Sequence, residues 1–520
     1  MASRVQQLRD SVAEEICKQR VGRASLALGA GTYGESVATW GELGFALLRR
    51  RGVKRLLLLS EGDSQLQAFQ GDRCDIPAIG DGVCVLLCPL TTGNARALRE
   101  RVPFLMPSLP GTGLSVGTGD RLGMATPGHV RAFKGINASP VLAQQSIREL
   151  SRTRRSPHEV VDDAMWGVLQ AGYRDGFGAD ADHVKTIDEM NLMLDVGFTM
   201  YTVDPGETVD DAVAGVDPGE LSERVAALPW HVLESTEEDC RRRYAGRSIA
   251  ISGYRGGFLL ELGVQDVLQA AAKYGHALAR TVTLYRHLAS RCPRDRYVFE
   301  VAIDETDTPT NAAEHFFVAS ELQRLGVRWE SLAPRFCGAF FKGVDYVGDP
   351  AQFRSEFNKH VKIAEHFGGY KLSLHSGSDK FSIYPIVAEL AGDAVHIKTS
   401  GTSYLEALRV VASVDPALFR EILAFARRRY DEERIEYCVG ADARKVVDVD
   451  RLRDEDLPLA LDQPDTRQVC HVTFGAVLTS KGRDGRPFLR DRLVKVVSDN
   501  EERYYRLLEE HFRRHLSAFV

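Results

Sequence analysis

Residues 371–380 read KLSLHSGSDK, and their alternation decides the fold. Leu372 and Leu374 fall on one side of a period-two pattern, and Lys371, Ser373 and His375 on the other. Successive strand residues face opposite ways, so such a strand is apolar outside and polar inside only if its sheet closes on itself. In a closed parallel barrel the polar side leads to a mouth where ligands bind. His375 then stands at the strand's C-terminal end, followed by a loop carrying Ser376, Ser378, Asp379 and Lys380.

The same grammar recurs. Residues 395–398 (VHIK) place Val395 and Ile397 outward and His396 and Lys398 inward, residues 299–305 (FEVAIDE) repeat it, and residues 179–185 (ADADHVK) crowd carboxylates beside His183 and Lys185. Eight strands are expected, near 114–117, 176–182, 199–203, 298–304, 328–333, 371–375, 395–398 and 437–440, the number a (β/α)8 barrel requires. The sequence divides accordingly. Residues 1–108 form a small N-terminal α/β region: a helix over about 4–19, then strands near 25–28, 55–59 and 83–88. Residues 109–495 hold the barrel, with an insertion at 205–297 expected to contain two helices and a strand near 248–252, and residues 496–520 carry a C-terminal helix. Asn311 and Glu314 have the spacing of a capping box opening a helix.

Composition narrows the function. Formal net charge is −6 with both signs interspersed, and no basic stripe with interleaved aromatics marks a nucleic-acid partner. No apolar run approaches the ~20 residues of a membrane helix, and residues 1–20 lack a signal-peptide core. Nine cysteines without paired spacing point to a reducing, cytoplasmic setting, with Cys84 and Cys88 as buried thiols. Nothing in the sequence marks an oligomeric state.

Polar residues gather where strands end. His183, His375 and His396 are candidate ligands for a divalent metal, since imidazole suits first-row ions whose identity the donors do not fix. Asp182 and Glu305 are candidates for proton acceptor and donor; Asp180 competes with the first, Asp304 and Asp307 with the second. Asp120, Arg121, Lys185, Arg335, Asp379, Lys380 and Lys398 are expected to contact a sugar or carboxylate substrate, with a Schiff base at Lys398 as an alternative. Asp204 and Asp442 read as ordinary loop polarity. Gly29, Gly31 and Gly34 match GxGxxG, which keeps open a nicotinamide-dependent sugar-acid oxidoreductase, provided a strand precedes and a helix follows. A non-catalytic sugar-acid binding protein is the third reading; converging ionisable groups weigh against it.

Several stretches together resemble the tagaturonate epimerase family: GTGDRLGMATPGHVRAF (117–133), PVLAQQSIRELSRTRR (140–155), AMWGVLQAGYRDGFGADADHVKT (164–186), AIDETDTPT (302–310), KLSLHSGSDKFSIYP (371–385), HIKTSGTSYLEALR (396–409) and QVCHVTFGAVLT (468–479). The resemblance implies a metal-dependent isomerase that interconverts the keto-uronates tagaturonate and fructuronate. It implies Asp182 as proton acceptor, Glu305 as proton donor, and His183 and His375 as metal ligands; His396 as third ligand is an inference from its place at a strand end. A histidine is expected where Cys438 stands, which separates this chain from the pattern at that point. The two keto-uronates differ at the carbon β to the ketone, so simple enolisation cannot invert it. A retro-aldol cleavage and re-addition can.

Overall fold

The computed structural model describes residues 2–213, 215–254, 256–482, 485 and 487–520, with side chains from residue 11 onward. Eight parallel strands close into a barrel in chain order: β1 (Ser115–Gly117), β2 (Ser139–Ser146), β3 (Gly178–Val184), β4 (Met200–Val203), β5 (Val298–Ile303), β6 (Ser331–Pro334), β7 (Lys371–Leu374) and β8 (Val395–Lys398), which pairs back to β1. Val395, Ile397, Leu372 and Leu374 pack outward into the helices, and Lys371, Ser373, His396 and Lys398 turn inward, buried.

Seven strands fall where the alternation puts them. The other is Ser139–Ser146, not 437–440. The sequence SPVLAQQS has as its second residue a proline that cannot donate to a ladder and carries adjacent glutamines near its end, so it lacks an alternating signal. Residues 437–440 form a loop, in which the Cys438 carbonyl accepts from the Lys342 N–H and the Gly440 N–H donates to Gln468 Oε1.

The N-terminal helix runs over Ala2–Leu28, so residues 25–28 are helical rather than a strand. No breaker interrupts them until Gly29, whose φ of +58° ends the helix as glycine does. The helix lies on an antiparallel sheet whose centre is Leu43–Arg50 hairpinned to Val53–Ser60 and then Cys84–Cys88. One sheet face (Leu48, Leu57, Leu59) meets Cys17, Val21 and Ala24 of the helix; the other (Phe45, Leu47, Leu56, Leu58) joins the main core. The GxGxxG residues therefore follow a helix and contain a two-residue strand (Gly31–Thr32), where a dinucleotide-binding site needs a strand before them and a helix after.

Between β4 and β5 the chain adds helices Pro218–Ala226 and Glu237–Tyr244, a hairpin of Arg247–Gly253 with Gly256–Leu262, and a 28-residue helix Val264–Arg291. The Asn311–Glu314 capping box is present in both directions, at 2.9 Å each way. Helix Glu501–Leu516 buries Tyr504, Tyr505, Leu508, Phe512 and Leu516, and packs on helix Thr126–Phe133. At the crossing, a Cβ on Gly128 would stand 2.8 Å from Leu508 Cβ and 3.0 Å from Tyr505 Cα. Gly128→Val is expected to lose about 1–3 kcal/mol to overpacking, read as a lower urea midpoint with unchanged slope. No described helix is long and apolar enough to cross a membrane.

Candidate active site

The barrel interior is polar instead of filled with branched aliphatics. Ser115 Oγ sits low in the barrel, 2.8 Å from His396 Nδ1 and 3.0 Å from Lys371 Nζ. Two residues further along β8, Lys398 Nζ lies 2.9 Å from Asp180, 2.6 Å from Asp182, 2.9 Å from Glu300 and 2.6 Å from Thr202 Oγ1. Burial pulls this ammonium down, but the three carboxylates outweigh it and hold its pKa well above the usual lysine value. An ammonium so held is a poor nucleophile, which weighs against the Schiff-base alternative.

Above that layer stand His183, Asp304 and His375. Alternation along β3 points Asp180 and Asp182 inward and would point His183 outward. Instead the β3–β4 register slips: Tyr201 pairs Ala181 and Val203 pairs Val184, so β3 carries an extra residue. His183 takes φ +57° there, and the bulge brings it to the mouth beside Asp182. The two imidazoles approach with ring centroids 5.0 Å apart, and the ligand atoms of His183, Asp304 and His375 all lie within 4.8 Å of one another.

Their outer hydrogen bonds fix which atoms are free. His183 Nδ1 is 2.8 Å from Asp182 Oδ1, which leaves Nε2 facing the mouth. His375 Nε2 is 2.8 Å from Glu300 Oε1, which leaves Nδ1. His375 Nδ1 and Asp304 Oδ1 are 2.9 Å apart but misaligned, and both are buried without a hydrogen-bond partner. Two orphaned donors, a third within reach and carboxylates behind both histidines are what a divalent cation site requires. Burial pulls the His375 imidazole down, yet Asp304 and Glu300 hold it up at about 10; a bound cation would take the place of that proton.

Asp182 is buried. Burial raises its pKa, but Lys398 and His183 outweigh that and keep it well below the usual carboxylate range. Its Oδ1 takes both strong contacts, while Oδ2 has only Gln144 Nε2 at 3.5 Å. Glu305 is exposed at the rim, 3.4 Å from Arg148 Nη2 and 3.9 Å from His183 Nε2. Desolvation at the cavity wall raises its pKa, but His183 and Arg148 outweigh that and hold it below its ordinary value. Asp182, Asp304, Glu305, His375 and Lys398 line a cavity of about 640 Å³, and Arg335 and Lys342 line it too.

The other expected residues lie elsewhere. His396 is fixed on Ser115 two residues deeper than Lys398, and burial drives its pKa to about 3; the third donor beside His183 and His375 is Asp304. Asp120 accepts from the N–H groups of Leu122, Gly123 and Ala125, and Arg121 pairs with Glu149 under the ring of Phe474. Asp379 pairs with Arg467 at 3.1 Å and His511 at 2.7 Å, and Lys380 Nζ donates to the carbonyls of Phe341, Val344 and Ser378. These four brace the loops behind the mouth. Lys185 lies in an adjoining cavity of about 800 Å³, 3.5 Å from Asp204 and 2.9 Å from Glu207. Asp204 is itself buried there and clusters with His183 and Glu305, which ordinary loop polarity does not describe. Arg148 and Lys342 were not legible as site residues: one follows the unrecognised strand β2, and the other lies in a loop without pattern.

The sequence profile of tagaturonate epimerase matches residues 33–519. A tagaturonate/fructuronate epimerase from Thermotoga maritima is 40% identical over 485 residues, 93% of this chain and 96% of the relative. A crystal structure of a fructuronate-tagaturonate epimerase from Cohnella laeviribosi, complexed with one glycerol, superposes with a TM-score of 0.89 at 34% identity, covering 96% of this chain and 99% of the other. The same enzyme with two glycerols gives 0.88 at 35% identity, covering 95% and 98%.

Proposed function

The chain belongs to the tagaturonate epimerase family, whose members are isomerase-class enzymes, and from that premise we propose that it interconverts D-tagaturonate and D-fructuronate with a divalent metal, by retro-aldol cleavage and re-addition. The observation that carries the reading is the convergence of His183, Asp304 and His375, two of them with orphaned buried atoms, between the carboxylates of Asp182 and Glu305. A divalent ion on those three residues would supply Lewis acidity to the oxygens where negative charge develops.

The chain's own groups do the proton work. Asp182, ionised and with Oδ2 nearly unengaged, accepts the proton of the hydroxyl on the β-carbon. The carbon–carbon bond next to that carbon breaks, its electron pair passes to the ketone half as an enediolate, and the β-carbon becomes an aldehyde. The aldehyde turns its other face, the bond reforms, and the new alkoxide takes a proton from Glu305, which draws it from solvent at the rim as the alkoxide forms. Once the bond has reformed Asp182 releases its own proton to solvent, so both carboxylates end as they began. His183 holds Asp182 in place, and Lys398 keeps it charged. Nine free thiols support a cytoplasmic setting.

The test is to strip the purified protein with chelator and follow D-tagaturonate by NMR in deuterium oxide as each ion is restored. Conversion is expected to stop on stripping and to return with at least one ion, without deuterium entering at the inverted carbon. No conversion with any ion would overturn the reading; deuterium at that carbon would overturn the mechanism.

A further inference from the structure

Four cationic side chains line the mouth cavity: Arg148, Arg335, Lys342 and Lys398. Two are matched, Lys398 by three carboxylates and Arg148 by Glu305 and the Glu436 carbonyl. The side chains of Arg335 and Lys342 make no ion pair or hydrogen bond with any described residue; only their backbones are engaged, Arg335 with Thr310 and Lys342 with Cys438. Asp307, exposed on the same rim, pairs with neither. Burial and the nearby Arg148 lower the Lys342 pKa against the pull of Glu305, Glu149 and Asp304, none of which comes within ion-pair distance of it.

Their position gives this charge a use. Arg335 directly follows β6, which pairs β5 on one side and β7 on the other, the strands that lead to Asp304 and His375. Lys342 stands further along the same loop and lines the same cavity. Resting on the functional reading above, we propose that Arg335 and Lys342 form a clamp for the substrate carboxylate, so that the site selects keto-uronates over neutral ketohexoses. Arg offers a planar fork for two carboxylate oxygens, and Lys adds a point charge.

The clamp also serves the reaction. When the bond beside the β-carbon breaks, the carboxylate leaves on the aldehyde half, because the ketone half carries the enediolate. That half must show its other face before the bond reforms. With its carboxylate held, it can rotate about the bond between aldehyde carbon and neighbour without leaving. Asp182 keeps the hydroxyl proton meanwhile, so no outside oxidant or reductant is needed.

Calorimetric titration of the purified, metal-replete protein with D-tagaturonate and with the neutral sugar D-tagatose tests this. Charge-assisted hydrogen bonds of this kind correspond to a Kd rise of roughly 10- to 100-fold for D-tagaturonate in Arg335→Met and in Lys342→Met. D-tagatose should shift less than about 3-fold, and Lys342→Arg should recover most of the keto-uronate affinity. Equal shifts for both sugars, or none for either, would overturn the clamp. Should Lys342→Met fail to fold, the half-buried Arg335 variant decides alone. Wild type that neither binds nor converts D-tagaturonate overturns the functional reading. Wild type that converts it, with an affinity indifferent to both substitutions, overturns only the clamp.

Discussion

His375→Ala is expected to lower kcat for D-tagaturonate by roughly 10³-fold or more and to leave the purified protein with far less than one tightly bound divalent ion per chain. The argument rests on the two sides of one ring. Nε2 faces Glu300 and locks the tautomer, and Nδ1 faces Asp304 with no hydrogen-bond partner. Alanine removes both functions, and Glu300 still retains Lys398 and Ser331, so the barrel has a charge partner left. His396→Ala is the matched control. That imidazole is neutral, buried and fixed on Ser115, outside the donor cluster. It should change kcat by less than tenfold and leave ion content intact. Metal analysis and circular dichroism on both variants check the pair. Equal losses in the two, or full ion content in His375→Ala, would remove the assignment.

That contrast also marks what a strand pattern can tell. Alternation identifies which residues enter a barrel, and so it picked out His375, His396 and Lys398 together. Depth is set by register, which no single strand encodes: Ser373 pairs His396 and Leu374 pairs Ile397, so His375 lies level with Lys398 while His396 lies deeper. His183 reaches the mouth only through a bulge at positive φ, and a period-two rule has no means of placing a residue that breaks the period. Asp304 appeared as a rival for the acid role because it neighbours Glu305. Its orphaned oxygen beside His375 becomes visible only once β5 and β7 are folded. Strand β2 was hidden because its inward side is Gln144 and Ser146, reading as polar turn chemistry. Loop cations such as Lys342 carry no periodicity at all. Their significance comes from the absence of an ion-pair partner among the described residues, which is a property of the folded charge balance.

Lys398→Met should cost the protein about 3–5 kcal/mol of stability at neutral pH, one of the largest losses any single substitution here can produce. The ammonium is buried and answers Asp180, Asp182 and Glu300, and methionine fills similar volume while leaving three carboxylates without their shared counter-charge. The pH dependence separates this cause from a packing defect. In the wild type Asp182 and Glu300 are held well below their ordinary pKa values against burial by Lys398 with the histidines. Their contribution is present above the unfolded carboxylate range, near 4, and is lost as pH falls through the folded values. Asp180, raised to about 6 by burial even beside Lys398, works in the opposite direction. Without Lys398 the other two carboxylates, Asp182 and Glu300, join Asp180: their folded values rise above the unfolded ones, the native state binds more protons than the unfolded chain, and stability falls as pH rises. The gap between variant and wild type should therefore narrow as pH drops from about 7.5 to about 5.5 in urea unfolding. Adding Asp180→Asn to the variant removes one of the stranded charges and should recover part of the loss. A gap independent of pH, with no recovery in the double variant, would mean that Lys398 is held for its shape and not for its charge.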